Sequence, residues 1–159
     1  MYLIYETDAF ILESSGRREA DKVFTFYTED FGLIRARAQA VRKMESKLRA
    51  HLVDFSLVRV SLVRGKESWR IVAARRIFFA PLHLIQPLLL IKRFVHGELS
   101  QPKLFSVLRE AYKGNIPETE TVVRILCELG YIDRKTLSLD PNSKEVVVLI
   151  NKAIRESQL

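Results

Sequence analysis

The chain has 159 residues, of which 48% are hydrophobic and 28% are charged, and its formal net charge is +7. This length allows one ordinary domain or two small ones with a real core, and this composition excludes a disordered chain. The most apolar run, from 82 to 91, contains His83, Gln86 and Pro87 and is far shorter than the roughly 20 residues that cross a bilayer. No secretory signal opens the chain, so we expect a soluble cytoplasmic protein without a membrane partner.

The residues that could carry catalysis or bind a metal are few and scattered. Cys127 is the single cysteine, so it forms no internal disulfide, and its apolar helical setting predicts a core thiol. His51, His83 and His96 lie far apart, and none has metal-ligand spacing to another His, Cys or carboxylate. The sequence also has no Gly-rich phosphate loop, nucleophile elbow or paired-acid motif. We therefore predict a protein without catalytic residues, metal, cofactor or small-molecule substrate.

The first half of the chain shows the alternation and the turn residues of short strands. Five segments have this pattern: Tyr2 to Leu12, Asp21 to Thr28, Leu33 to Val41, Val53 to Arg64, and Trp69 to Arg76. Several are apolar on one face only, and closure into a barrel would remove the exposed edges of so short a sheet. A five-stranded OB-fold, the oligonucleotide-binding barrel, is the natural candidate, although the strand count also suits an SH3-like barrel.

The second half of the chain changes to helical spacing after Ala80-Pro81. Leu82 to His96 is apolar at this spacing, and Pro87 is predicted to kink or divide it. Three more helices are predicted, from Pro102 to Tyr112, from Pro117 to Gly130, and from Asp140 onward. We therefore predict two domains, a nucleic-acid-binding barrel over 1–79 and a helical domain over 80–159 whose leucines form its core.

The basic residues are concentrated in one region. From Arg35 to Arg76 there are twelve basic and three acidic residues, so the rest of the chain is slightly acidic. On the predicted strand Leu33 to Val41, Arg35 and Arg37 share the outer face, and positive charge continues along the following loop. A polyanion could contact both the outer face of this strand and the loop, and would release its condensed cations on binding. The candidate DNA-binding residues are Arg35, Arg37, Arg42, Lys43, Lys47 and Arg49, followed by Arg75 and Arg76, which could instead close the end of the barrel.

Proteins that bind single strands usually add aromatic side chains on which bases stack. A barrel this small needs most of its aromatic residues as core, so each phenylalanine is predicted to be buried. For Tyr27 and Trp69 stacking stays open, because each could leave a polar tip in water. Stacking is therefore left open, and the sequence gives no location for it. The aromatic residues considered are Phe10, Phe24, Phe26, Tyr27, Phe55 and Trp69.

Several pieces of the chain, taken in order, match one protein family. They are TDAFIL at Thr7 to Leu12, EADKVFTFYTEDFGLIRARAQAVRK at Glu19 to Lys43, Ser46-Lys47-Leu48, and FSLVRVSLVRGKESW at Phe55 to Trp69. Over Thr7 to Ile77 this ordered set resembles the bacterial recombination protein O family, RecO. Leu129-Gly130-Tyr131 is similar to the helical part of that family.

The resemblance implies an α+β fold, with an N-terminal five-stranded OB-fold β-barrel followed by a small C-terminal α-helical domain. It also implies a non-catalytic mediator of recombinational DNA repair that is nucleoid-associated in the bacterial cytoplasm. Such a mediator binds single- and double-stranded DNA, anneals complementary strands and helps RecA to load. The implied protein partners are RecR and the acidic, Phe-ending tail of single-stranded DNA-binding protein.

One departure from the family concerns zinc. Many members insert a four-cysteine zinc module after the Leu-Gly-Tyr region. This chain passes instead through RKTLSLDPNSKE into its last predicted helix. We therefore expect a short form of the family that lacks the zinc module.

Two other functions remain open at this point. Charge cannot distinguish DNA from RNA, because that choice depends on 2′-hydroxyl contacts and helix shape, so an OB-fold RNA-binding protein is one alternative. The other is a protein-docking adaptor that uses the helical half. The sequence also leaves open the oligomeric state and the preference for single or double strands.

Overall fold

The computed structural model describes residues 2–79, 81–114 and 116–158 of the chain. They form two compact units. The first comprises residues 2–79 together with Val95–Gln101, and the second comprises Pro81–Phe94 together with the described residues from 102 to 158. Val95–Gln101 thus belongs with the first unit although it lies between two helices in the sequence. The domain boundary between 79 and 80 stays a prediction.

The first unit is a closed barrel of five strands. Around the barrel the order is β1, β2, β3, β5, β4, and β4 pairs back to β1. Neighbouring strands are antiparallel except β3 and β5, which are parallel and pair through Ala36 with Trp69 and Arg37 with Arg70. This is the order of an OB-fold, so the predicted barrel and α+β class are confirmed. The strands are β1 (Ile4–Arg17), β2 (Asp21–Thr28), β3 (Gly32–Ala38), β4 (Leu57–Arg64) and β5 (Trp69–Phe78).

Three strand ends differ from the prediction by at least three residues. β1 continues to Arg17, past the predicted break, through a register shift in its pairing with β2. β3 ends at Ala38, because Ala40 takes a positive φ of 52° that a strand does not accommodate. β4 begins at Leu57 rather than Val53, because Phe55 also has a positive φ, 64°.

The connection from 39 to 56, here called the basic loop, has no regular secondary structure but is anchored to the barrel. Val41 and Leu52 are buried in the barrel core. The amide of Phe55 donates a hydrogen bond to the carbonyl of Ile11 at 2.8 Å. The backbone of the loop is therefore held in place while most of its charged side chains are exposed.

Alternate residues of each strand fill the barrel interior. Phe24 and Phe26 on β2 are buried, with ring centroids 6.0 Å apart, and Phe24 pairs with the small Ala36 on β3. Large side chains beside small ones allow a barrel of this width to be filled. The other buried core residues of the barrel include Ala9, Ile11, Ile34, Ala38, Val58, Val60, Leu62, Trp69 and Ile71.

Val95–Gln101, here called the strap, is fastened to the turn between β2 and β3. The amide of Leu33 donates to the carbonyl of Gly97 at 3.1 Å. The hydroxyl of Ser100 donates to the carbonyl of Glu29 at 2.7 Å. The strap therefore runs along the barrel at a defined position beside the start of β3.

The second unit is helical. The predicted helical segment is divided into a 3-10 turn, Leu82–Leu84, and a first helix that begins at Ile85. Pro87 is the third residue of that helix, where a missing N–H removes no intrahelical bond, so the segment divides, as predicted, at the turn before Pro87. Leu88, Leu104, Leu108 and Leu126 are buried as predicted, whereas Leu82 is 85% exposed. None of the helices in the described ranges is long and apolar enough to span a membrane. The helices are α1 (Ile85–Phe94), α2 (Pro102–Lys113), α3 (Glu118–Glu128) and α4 (Lys144–Glu156).

Candidate nucleic-acid interface

Strand β3 presents arginines to the outside of the barrel. Arg35 and Arg37 alternate with the buried Ala36 and Ala38, as the period of two requires. Arg35 is exposed, and Arg37 is half-buried. The two arginines therefore lie on one outer face, which is the geometry that the sequence pattern predicts for them.

Arg37 is held by an ion pair with Asp21 of β2. Its Nε donates to Oδ2 of Asp21 at 3.0 Å, and its Nη2 pairs with the same oxygen. The other carboxylate oxygen, Oδ1, accepts the amide N–H of Ala40 at 2.8 Å. The hydrogen bond from Ala40, followed by that from Arg37, lowers the pKa of Asp21. Arg37 is thus oriented by a carboxylate that is ionised at neutral pH.

Two adjoining clefts open over the seam between β3 and β5. The first, here called the β3 cleft, has a volume of about 390 Å³, and the second, here called the β5 cleft, has a volume of about 310 Å³. Arg37, Ser68 and Trp69 line both clefts, so the two form one groove. The β3 cleft is otherwise lined by Arg17, Val23, Leu33, Ile34, Arg35, Glu67 and Glu98. The β5 cleft is otherwise lined by Tyr2, Gln39, Val63, Arg64, Gly65 and Arg70.

The two clefts differ in charge. The β3 cleft combines three arginines with two carboxylates, those of Glu67 and Glu98. The β5 cleft also has three arginines, Arg37, Arg64 and Arg70, but none of its lining residues is acidic. Arg37 and Arg64 of the β5 cleft are, however, paired with the carboxylates of Asp21 and Glu98.

Glu98 of the strap places its carboxylate in the wall of the groove. Its Oε2 accepts a hydrogen bond from Nη1 of Arg64 at 2.7 Å, and its Oε1 accepts one from Nε1 of Trp69 at 3.3 Å. Arg64 also lies over the indole ring of Trp69, with Cζ 4.9 Å from the ring centroid. These contacts satisfy the indole N–H inside the protein and hold Arg64 at the border of the two clefts.

The predicted residues of the basic loop lie apart from the groove. Arg42, Lys43, Lys47 and Arg49 are all exposed. Arg42 and Arg49 line a smaller pocket of about 180 Å³, whose lining includes Phe24 and none of the residues that line the groove. The sequence candidates are therefore divided between two places on the barrel, Arg35 and Arg37 in the groove and the other four in the loop.

Arg75 and Arg76 near the end of β5 have different surroundings. Nη1 of Arg76 donates to the carbonyl of Ala50 at 2.7 Å, and Cζ lies 3.6 Å from the ring centroid of Phe79. Arg76 thus fastens the basic loop to β5, which matches the alternative that it closes the end of the barrel. Arg75 is exposed and pairs with Arg59 of β4 in the sheet register.

Sequence reasoning missed four groove residues, Tyr2, Arg17, Arg64 and Arg70. Arg70 could have been found, because it follows the buried Trp69 on a strand and must face outward. Tyr2 and Arg17 gave no local signal. They reach the groove because of the strand order. The start of β1, next to Tyr2, pairs with β4, and the end of β1, at Arg17, pairs with β2 beside β3.

The aromatic residues of the barrel are mostly core. Phe10, Phe24, Phe26, Tyr27 and Trp69 are at most 3% exposed, so the core prediction is confirmed for three phenylalanines, whereas it is wrong for Phe55, which is only half-buried. The same burial leaves Tyr27 and Trp69 without an exposed ring face on which a base could stack. Burial also raises the pKa of Tyr27.

The described residues show no arrangement suited to a metal. Among residues 2–79, 81–114 and 116–158, no group of three or more His, Cys, Asp or Glu side chains could hold a metal ion. Cys127 is buried, and this burial raises the pKa of its thiol. The thiol therefore has the properties of a core residue.

The groove is lined by the end of β1, by β2 and β3, and by the β4–β5 turn. These are the elements with which OB-folds bind oligonucleotides, so the first unit is an OB-fold domain with a basic groove in the position of the ligand site. Residues 1–77 match the family model described as recombination protein O N terminal. Over these residues the chain is therefore similar to the N-terminal domain of the RecO family.

Two relatives show the extent of the similarity. The DNA repair protein RecO of Dehalococcoides mccartyi is 44% identical over 62 residues, which cover 39% of this chain and 24% of that protein. The DNA repair protein RecO of Pelotomaculum thermopropionicum is 36% identical over 64 residues, which cover 40% of this chain and 25% of that protein. The chain thus matches about a quarter of the length of these curated relatives.

Proposed function

We propose that this chain is a non-catalytic DNA-binding protein that acts in recombinational DNA repair; its relatives in Dehalococcoides mccartyi and Pelotomaculum thermopropionicum are DNA repair proteins. The observation that carries the proposal is the arginine-lined groove at the β3–β5 seam of a barrel that is similar to the RecO N-terminal domain. Its exposed arginines, Arg17, Arg35, Arg64 and Arg70, would contact phosphates along the groove.

The chemistry of this groove suits binding without sequence preference. Arginine fork donors match phosphate oxygens, and each neutralised phosphate releases condensed cations. Arg37 and Arg64 are already oriented by Asp21 and Glu98, so their ordering costs less entropy on binding. The affinity is therefore expected to fall steeply with salt and to depend little on base sequence.

None of the four predicted cations of the basic loop lines the groove, and this supports a role in annealing. Two cationic surfaces on one barrel could neutralise two DNA backbones at once, which reduces the repulsion between complementary strands. Arg42, Lys43, Lys47 and Arg49 would bind the second strand. Binding of both single- and double-stranded DNA is proposed on the same grounds. Loading of RecA, contacts with RecR and with the tail of single-stranded DNA-binding protein, and a place in the bacterial cytoplasm stay predictions from the family resemblance.

The proposal is tested by fluorescence anisotropy with labelled single-stranded DNA over a salt series. The variant Arg35→Ala/Arg64→Ala/Arg70→Ala removes three exposed groove arginines and leaves the ion pair of Arg37 intact. We expect its affinity to fall by at least about tenfold and its salt slope to decrease by roughly 2, since each single-strand phosphate contact contributes about 0.7. The variant Arg42→Ala/Lys47→Ala/Arg49→Ala reports on the basic loop by the same measurement.

A matched control removes the same amount of charge from the helices. Lys103→Ala/Lys144→Ala/Arg155→Ala replaces three exposed residues of α2 and α4 and should change neither the affinity nor the slope. Equal binding by the groove variant and the wild type would contradict the proposed site. Competition with RNA of the same sequence decides between the DNA-binding protein and the RNA-binding alternative.

A further inference from the structure

One exposed aromatic residue lies beside the most cationic part of the groove. Tyr2 is 78% exposed and lines the β5 cleft together with Arg37, Arg64 and Arg70. The pairing of Ile4 with Val63 places the residues before β1 next to the end of β4. Tyr2 is thus brought to the cleft by the same strand pairing that closes the barrel.

The composition of the β5 cleft separates two ways of binding DNA. Arginines alone would bind the phosphates of single and double strands alike. An exposed aromatic ring adds a contact that only an unpaired base can make, because the bases of a duplex are already stacked on one another. Gln39, which is also exposed, supplies an amide donor and acceptor at the same cleft.

We propose that the β5 cleft is a subsite for one nucleotide of single-stranded DNA, with Tyr2 as the surface on which its base stacks. Arg64 and Arg70 hold the flanking phosphates, and Arg37 links this subsite to the β3 cleft. This inference rests on the proposed DNA-binding function and names the form of DNA that the groove selects. It assigns the preference for single-stranded DNA to one side chain, that of Tyr2, which precedes strand β1.

The experiment compares Tyr2→Ala, Tyr2→Phe and the wild type, each with any tag at the C-terminus. The probes are an oligothymidylate, an abasic oligomer with the same number of phosphates, and a duplex. We expect Tyr2→Ala to weaken binding of the oligothymidylate about 5- to 100-fold, the range measured for loss of one stacked base. The salt slope and the affinities for the abasic oligomer and the duplex should not change. Tyr2→Phe keeps the ring and should bind as the wild type does.

Control measurements identify what failed if the result differs. Tyr131→Ala removes another exposed tyrosine, in the helical unit, and should leave all affinities unchanged. Equal weakening of the oligothymidylate and the abasic oligomer by Tyr2→Ala would show that Tyr2 only shapes the cleft, which overturns stacking. Unchanged binding by Tyr2→Ala while the wild type binds would overturn this inference alone. Failure of the wild type to bind any of the three probes would overturn the proposed function as well.

Discussion

Asp21 is the residue through which β2, β3 and the basic loop are joined. Its folded-state pKa is lowered, first by the hydrogen bond from Ala40 and then by that from Arg37. A lowered pKa stabilises the fold above the unfolded value of about 3.9, and this stabilisation is lost as the pH falls through the folded value. We predict that Asp21→Asn lowers the thermal midpoint at pH 7 and has a flatter midpoint profile below about pH 5. Thermal unfolding from pH 7 to pH 3 tests this, and parallel profiles for variant and wild type would contradict it.

Glu98 is the acidic residue that shares the groove with the arginines. The substitution Glu98→Gln removes its charge but keeps an oxygen that can accept the hydrogen bond from Trp69. Although Glu98 orients Arg64, its negative charge also repels a phosphate bound there, so we predict roughly 2- to 5-fold tighter binding of single-stranded DNA at low salt. Glu118→Gln, on the exposed start of α3, is the matched control in the same anisotropy titration. Weaker binding by Glu98→Gln would indicate that the carboxylate contacts the nucleic acid directly.

At the scale of the elements, the absence of a side chain at Gly32 allows the backbone of the strap to approach β3 closely. Its φ is +66°, and a Cβ at this position would lie 2.4 Å from the carbonyl oxygen of Leu99. Gly97 has a similar φ of +78° but no atom within 4 Å of the corresponding Cβ position, so it is a control for the backbone conformation alone. We predict that Gly97→Ala costs about 1 kcal/mol of unfolding free energy and Gly32→Ala about 2–4 kcal/mol. Urea unfolding measures both, and equal costs would show that the close approach is not required.

The basic loop shows how an element without regular structure can carry charge at a defined place. Its buried anchors, Val41 and Leu52, belong to the barrel core, and Arg76 bonds to its backbone at Ala50. Burial of these apolar side chains offsets part of the entropy cost of ordering so long a loop. The exposed cations of the loop therefore project from a backbone that these contacts hold against the barrel.

At the scale of the whole molecule, the positive charge belongs to one part of the chain. From Arg35 to Arg76 there are twelve basic and three acidic residues, whereas 80–159 has eleven basic and nine acidic residues. Long-range attraction of a polyanion is therefore directed to the barrel. The stretch from 80 to 159 is nearly neutral and has less electrostatic attraction for nucleic acid.

The sequence by itself predicted the barrel, the helices and the outward arginines of β3, because alternation and helical spacing are local consequences of backbone geometry. It also located the regional excess of charge and the resemblance of the N-terminal part to the RecO family. Three strand ends were wrong by at least three residues, because positive φ values and a register shift depend on tertiary contacts.

Only the tertiary structure decided which residues form the groove. Closure of the barrel places β5 beside β3, so Arg70 becomes the partner of Arg37 although 33 positions separate them in the sequence. The same closure brings Tyr2 to the end of β4, and the strap adds Glu98 from beyond the first helix. Local periodicity determines which way a side chain points. Its neighbours depend on the strand order and on the return of the strap to the barrel, and both follow from packing of the whole barrel.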